Sequence, residues 1–119
     1  MKIYESLEHN AAVLTLDGKL MGDPDTHDIH ERIKNLMTMG ITHVVVDLEP
    51  LEWLNSAGLG VLIASLTTLR KAGGDLVLAN VGGKAKELIC MTHLNQVFLE
   101  YDSVDMALDA LGHEHEAVI

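Results

Sequence analysis

Aromatic side chains are scarce in this chain of 119 residues, since Phe, Trp and Tyr together make up 3% of it. Hydrophobic residues nevertheless account for 48%, so any core is built from Leu, Val, Ile, Ala and Met. A chain of this length suffices for one domain with a sizeable core, and neither an internal repeat nor a linker divides it. We therefore predict a single domain at residues 1–112, followed by a frayed tail at 113–119.

Cysteine is equally scarce, because Cys90 is the only one. A lone cysteine excludes a disulfide within the chain and suits a reducing cytoplasm. No apolar run approaches the ~20 residues that a membrane-spanning helix requires. Lys2, Tyr4 and Glu5 interrupt the apolar core that a signal peptide would need. We therefore expect a cytoplasmic protein that does not enter a membrane.

Positive charge is the third scarcity. Eight Lys and Arg residues stand against 18 Asp and Glu residues, which gives a formal net charge of −10. Nucleic acids and anionic membrane surfaces repel such a protein, so we expect no direct contact with either. The charge is compatible with a basic protein partner, although it also serves ordinary solubility.

Hydrophobic periodicity divides the chain into alternating strands and helices. Apolar runs of strand length stand at residues 2–7, 11–16, 41–48, 75–79 and 97–101. Helical spacing of apolar residues follows at 25–40, 56–72 and 84–91, and again after Ser103. Asp17-Gly18 is a turn signal after the second strand, and residues 49–54 are expected to form a connector. This order predicts an α/β fold, with about four helices packed against a mixed sheet of four to five strands.

The stretch from residue 44 to residue 69 organises the rest of the chain. Its first part, Val44-Val45-Val46-Asp47-Leu48, has the composition of a strand covered on both faces. Its last part is a helix with apolar residues on one stripe. Between them stands the turn Asn55-Ser56-Ala57-Gly58-Leu59-Gly60. A strand that leads into a helix through such a turn is half of a βαβ unit, and we place the functional site at this turn.

The turn offers groups with alternative uses. Asn55 and Ser56 are both favourable N-cap residues for the following helix. The Ser56 hydroxyl can instead accept a phosphoryl group, which the helix N-terminus would partly stabilise. Gly58 and Gly60 lack side chains, which allows another backbone or a nucleotide to come close, or else serves tight helix–strand packing or relaxed turn geometry. Trp53, the only tryptophan, is either a core anchor or an exposed partner contact.

The turn does not match the motifs of common enzymes. Leu54 stands where the nucleophile motif Gly-x-Ser-x-Gly has its first glycine. Ile63 occupies the third glycine position of a dinucleotide fingerprint, and Ala85 follows Gly82-Gly83-Lys84 where a phosphate-binding loop has Ser or Thr. The histidines have no cysteine cluster beside them, so no metal site is expected. We therefore expect neither catalysis nor a cofactor.

Residues 44–69 resemble the anti-sigma factor antagonist family, whose fold is called the STAS domain. The family's pattern is an apolar strand ending in Asp-Leu, a short connector, and Asp-Ser-Ser/Thr-Gly-Leu-Gly opening a helix. Asp47-Leu48 and the turn at residues 55–60 match this pattern. Leu16-Asp17-Gly18-Lys19-Leu20 resembles the family's Leu-x-Gly-x-Leu, and residues 73–78 resemble its strand after the central helix. The order of elements matches over about the whole chain.

The resemblance implies a regulator that binds a partner without catalysis. In the family, a serine kinase that is also the anti-sigma factor phosphorylates the serine of the motif, and a serine phosphatase resets it. Ser56 is the matching phosphoacceptor, and the implied partner surface comprises Asn55, Ala57, Gly58, Gly60 and Trp53. Asn55 replaces the usual Asp, and Ala57 replaces the usual Ser or Thr. Some members are unphosphorylated adaptors of lipid-transport or sensory complexes, so that alternative stays open.

Overall fold

The structure is a computed structural model that describes residues 1–8 and 10–116, with side chains up to residue 112. Its strands are β1 (Lys2–Glu8), β2 (Ala11–Leu20), β3 (His43–Asp47), β4 (Leu51–Leu54), β5 (Asp75–Ala79) and β6 (Glu100–Tyr101). Its helices are α1 (Asp25–Thr38), α2 (Ser56–Lys71), α3 (Gly83–Met91) and α4 (Val104–Glu116). A short 3-10 turn covers Leu94–Gln96.

The strands form one mixed sheet of six, in the order β1-β2-β3-β5-β6, with β4 paired to the end of β2. β1 is antiparallel to β2, with Lys2 opposite Asp17 and Glu8 opposite Ala11. The other neighbouring strands are parallel to each other. Since each helix follows a strand of the parallel part, each helix begins at the carboxyl edge of the sheet. The mixed α/β architecture predicted from the sequence is confirmed.

The helices cover the two faces of the sheet unequally. α1, α2 and α3 pack on one face over the larger core, in which Val46 and Leu62 are at most 1% exposed. α4 alone packs on the other face, where Ala107 and Leu111 contact a smaller cluster around Val45. Adjacent residues of β3 are therefore buried under opposite layers, as expected for a strand covered on both faces. Within the described residues, no helix combines the length and the apolar composition that crossing a membrane would need.

The turn expected at Asp17-Gly18 is wrong, because β2 continues through this pair to Leu20. A register shift between Gly18 and Lys19 marks a bulge in the strand. Gly18 has φ 117°, a value that residues with a side chain rarely adopt. Its N–H donates a hydrogen bond to the carbonyl oxygen of Pro50 at 3.3 Å. The residues that favour a turn in isolation therefore bend a continuous strand here.

Three other boundaries differ from expectation. The predicted connector contains β4, so the sheet has six strands instead of four to five. β6 is restricted to Glu100–Tyr101, because residues 97–99, which follow the 3-10 turn, are irregular instead of extended strand. α4 extends to Glu116, so the boundary expected at residue 112 falls inside this helix. The remainder of the expected tail, 117–119, lies outside the described residues.

Candidate functional site

The N-terminus of α2 is held by one side chain, that of Asn55. Its Oδ1 accepts a hydrogen bond from the Gly58 N–H at 2.9 Å, which satisfies one N–H group of the first helical turn. Its Nδ2 donates to the carbonyl oxygen of Met21 at 2.9 Å. Its backbone N–H donates to the carbonyl oxygen of Leu20 at 3.3 Å. Asn55 therefore caps α2 and also ties the helix to the end of β2.

Ser56 is the first residue of α2 and does not cap it. The N-cap predicted for Asn55 is confirmed, whereas the same role for Ser56 is wrong. The Ser56 side chain is exposed, and no hydrogen bond or ion pair joins its hydroxyl to any residue that the structure describes. The first turn of α2 contains no acidic residue. The hydroxyl is therefore accessible and makes no hydrogen bond to the described residues. It lies at a helix end whose partial positive charge favours an anion.

The two glycines of the turn have different environments. A Cβ atom on Gly58 would lie 2.6 Å from the carbonyl oxygen of Leu20 and 2.7 Å from Cδ1 of Leu54. Gly58 is buried, so its missing side chain is required for the packing of α2 against the sheet. Gly60 is exposed, and a Cβ atom there would meet nothing within 4 Å. Of the residues expected to contact a partner, Gly58 is therefore buried, while Gly60 is open to the outside.

Trp53 lies on β4, and its side chain is 40% exposed. The Nζ atom of Lys84, in the first turn of α3, lies 5.6 Å from the centre of the indole ring. This separation is within the range of a cation–π interaction. The interpretation of Trp53 as a core anchor is wrong. The ring is a surface feature three positions before Ser56.

The structure brings most of the expected site residues together on one surface. Ser56, Ala57 and Gly60 are exposed on α2, and Asn55 is half-buried beside them. Met21, whose side chain is 51% exposed, joins this surface through its hydrogen bond with Asn55. Sequence reasoning missed Met21, because its only signal is an apolar residue directly before the chain-breaking segment at residues 22–25.

Other candidate sites do not coincide with this surface. Among the residues that the structure describes, no group of three or more His, Cys, Asp or Glu side chains is placed to hold a metal ion. A polar depression of about 500 Å³ contains none of the expected site residues. Its lining is formed by Asn80, Val81, Lys86, Glu100, Tyr101 and Asp102. The surface around Ser56 thus presents a hydroxyl among small and aromatic side chains.

The fold and the site define a class of small α/β domains, here with an exposed serine at the start of α2, the helix that follows β4. The family model of the STAS domain matches residues 4–107. The chain therefore belongs to the STAS domain family, and the family resemblance seen in the sequence is confirmed.

Three relatives show how widely this fold is used. The chain is 27% identical over 116 residues to an anti-sigma F factor antagonist from Paenibacillus polymyxa, covering 93% of this chain and 97% of the relative. The anti-sigma factor antagonist SpoIIAA in its unphosphorylated form superposes with a TM-score of 0.82 at 17% identity, over 94% of this chain and 97% of SpoIIAA. The phosphorylated form of SpoIIAA, from Bacillus, gives 0.73 at 18% identity, with coverages of 92% and 98%. A sulfate transporter family protein from Wolinella succinogenes gives 0.73 at 13% identity, over 93% of this chain and 92% of that protein. At such identities, the structural likenesses show the fold alone.

Proposed function

We propose that this protein is a cytoplasmic anti-sigma factor antagonist controlled by reversible phosphorylation of Ser56. Its partner is a serine kinase that is also the anti-sigma factor, and binding of the unmodified protein to this kinase frees the sigma factor. Phosphorylation transfers the γ-phosphoryl group of ATP to Oγ of Ser56, with release of ADP and of the hydroxyl proton. A serine phosphatase hydrolyses the phosphate and restores the binding form. In this account the protein is a regulator and has no catalytic role.

The state of Ser56 is the observation that carries the proposal. A serine at a helix start commonly caps the helix, but here Asn55 occupies the cap and accepts the Gly58 N–H at 2.9 Å. The Ser56 hydroxyl is therefore not needed for the fold, and it is exposed. A kinase can reach such a hydroxyl without unfolding α2. Its modification adds about −1.5 to −2 charge at neutral pH, at a helix end that favours negative charge.

The surroundings of Ser56 support its use in a protein contact. Ala57 and Gly60 are exposed beside it, so a partner can approach the α2 backbone closely. Trp53 adds a half-exposed aromatic side chain, a residue type that often dominates binding energy. An unmodified hydroxyl can be enclosed in such an interface at small cost. A phosphate dianion enclosed there without a new partner would be strongly unfavourable, so phosphorylation would release the kinase.

The relatives support both the role and its control. The relative from Paenibacillus polymyxa is described as an anti-sigma F factor antagonist and aligns over 93% of this chain. SpoIIAA, also an anti-sigma factor antagonist, is described in unphosphorylated and in phosphorylated forms, and both share this fold.

Asn55, in place of the family's usual Asp, has a structural explanation. An Asp side chain could still accept the Gly58 N–H, but it could not donate a hydrogen bond to the Met21 carbonyl oxygen as the amide does. The amide thus retains the helix cap and adds a hydrogen bond to Met21, the residue directly after β2. We infer that Asn55 preserves the geometry of the phosphoacceptor without a carboxylate beside it.

Mass spectrometry after incubation with ATP and host lysate tests the proposal. The wild type is expected to gain one phosphate, located on Ser56, and the Ser56→Ala variant is expected to gain none. Ser103→Ala serves as a matched control, because it removes a different helix-associated serine and leaves Ser56 in place. Absence of phosphate on Ser56, in a lysate that phosphorylates a known switch-kinase substrate, would contradict the proposal. That outcome would favour an unphosphorylated adaptor in a transport or sensory complex, a role for which the similarity to a sulfate transporter family protein is the supporting observation.

A further inference from the structure

Two lysines neighbour Trp53 in a chain that has few cations, one over its ring and one on the adjacent strand. Lys84 lies over the ring with Nζ 5.6 Å from its centre. Lys19 is the register partner of Trp53 in the parallel pairing of β2 with β4, so its side chain lies on the same face of the sheet. The chain has eight Lys and Arg residues and a net charge of −10. Two of these eight cations therefore adjoin the single tryptophan.

Neither lysine is held by a strong ion pair. The only ion-pair partner found for Lys84 among the described residues is Glu87, at 3.3 Å, and both side chains are more than half exposed. Exposed pairs of this kind contribute little to stability. Lys19 is exposed and has no ion pair with any residue that the structure describes. Both cations are therefore available to an anion that enters this region.

Acidic residues are depleted where α2 and α3 begin. The first turns of these two helices contain none, whereas α1 begins with Asp25 and Asp28 and α4 with Asp105. Glu52 precedes Trp53 on β4, but the alternation along a strand directs its side chain to the opposite face. The two helix starts that carry Ser56 and Lys84 therefore hold no carboxylate in their first turns, and Glu87, further along α3, is the acidic residue paired with Lys84.

We propose that Lys84, assisted by Lys19, binds the phosphoryl group carried by phosphorylated Ser56 and leaves the Trp53 ring when it does so. This inference rests on the proposed function, because it assigns a receiving group to the modification of Ser56. Trp53 and Ser56 are separated by three residue steps, which limits the distance between their Cα atoms to about 11 Å. Because the ammonium group of Lys84 lies over the Trp53 ring, we expect rotation of this flexible side chain to carry the ammonium group from the ring toward a phosphate on Ser56. Phosphorylation then changes the docking surface twice, by adding charge and by freeing the indole ring.

The test uses protein with phosphoserine placed at position 56 during translation, so that no kinase is needed. Because Trp53 is the only tryptophan, its fluorescence reports this site alone. The phosphorylated wild type is expected to differ from the unmodified protein in emission maximum or intensity. Lys84→Met keeps the aliphatic stem without the charge, and phosphoserine is expected to leave its fluorescence unchanged. Lys86→Met, on the same helix but paired with Glu100 at 3.9 Å, is the matched control and is expected to respond like the wild type.

Phosphorus NMR provides a second, independent readout. A nearby cation favours the dianion, so the midpoint of the phosphoserine titration should lie a few tenths of a pH unit lower in the wild type than in Lys84→Met. A further rise is expected when Lys19→Met is added. Equal midpoints in wild type and Lys84→Met, together with an unchanged fluorescence response in that variant, would overturn the inference. Because the phosphate is introduced without a kinase, this failure is distinct from a failure of Ser56 to be phosphorylated by its host.

Discussion

Gly58 and Gly60 lie two positions apart in the same helix, and the structure predicts that alanine has opposite effects on stability at the two positions. At Gly58, the new Cβ atom would lie 2.6 Å from a backbone oxygen of β2 and 2.7 Å from side-chain atoms of Leu20 and Leu54. The backbone oxygen cannot move without disturbing the hydrogen bond from Asn55 N–H to Leu20, so the overlap is costly. At Gly60 the new atom meets nothing within 4 Å.

The magnitudes follow from two opposing contributions. Overpacking costs about 1–3 kcal/mol, and alanine is favoured over glycine inside a helix by about 1 kcal/mol. Because the overlap at Gly58 involves a backbone atom, the upper part of the overpacking range applies there, about 2–3 kcal/mol. After the helix gain of about 1 kcal/mol, Gly58→Ala is expected to lower the free energy of unfolding by about 1–2 kcal/mol, and Gly60→Ala to raise it by about 0.5–1 kcal/mol. A change of 1 kcal/mol corresponds to roughly 4 °C in Tm for a domain of this size.

Urea denaturation followed by circular dichroism measures both variants against the wild type. The slope of unfolding free energy against urea should stay constant, because neither change alters the surface exposed on unfolding. The matched pair controls for the general effect of alanine in this helix. A Gly58→Ala variant as stable as wild type, or equal losses in both variants, would refute the packing assigned to the turn.

Three further predictions concern the same elements. Asn55→Ala removes both the helix cap and the hydrogen bond to Met21, so it should lower the free energy of unfolding, measured by urea denaturation, by about 1.5–2.5 kcal/mol. Asn55→Asp keeps the cap and should lower it by about 1 kcal/mol. Equal losses in the two variants would contradict the role of the amide nitrogen. Ser103→Ala removes the oxygen that accepts the Met106 N–H at 3.1 Å and should cost about 1 kcal/mol, while Ser6→Ala on the edge strand should change stability little. Gly60→Ala, although more stable, should bind the kinase about tenfold more weakly in titration calorimetry, because the new methyl group would separate the α2 backbone from that of the kinase. An unaltered affinity would place the interface elsewhere.

The parts of the fold that the sequence predicts best are those with continuous local signals. β5 spans Asp75–Ala79 as expected, because the apolar run Leu76-Val77-Leu78 stands between a glycine pair and a polar loop. α2 begins at Ser56 as expected, because a capping residue precedes a long apolar stripe. β4 escaped prediction because its extended conformation depends on pairing with β2, a contact between residues about 33 positions apart.

The motif indicates the candidate site, but the structural role of each residue within it depends on tertiary contacts. The sequence offers Asn55 and Ser56 as equivalent caps, and the chain path after β2 decides in favour of Asn55. In the sequence Gly58 and Gly60 look equally suited to the close approach of another molecule, but the position of Leu20 buries Gly58. Lys84 carries no local signal that would connect it with Trp53, because the two residues meet through the packing of α3 beside β4.

The central claim is that phosphorylation of Ser56 controls binding to a kinase that is also an anti-sigma factor. Titration calorimetry with each purified anti-sigma kinase of the host tests it most directly, using the unmodified protein and the protein carrying phosphoserine at position 56. The account predicts that one kinase binds the unmodified form at least about tenfold more tightly, a difference of roughly 1.4 kcal/mol. If every kinase binds both forms equally, or none binds the unmodified form, the account is contradicted.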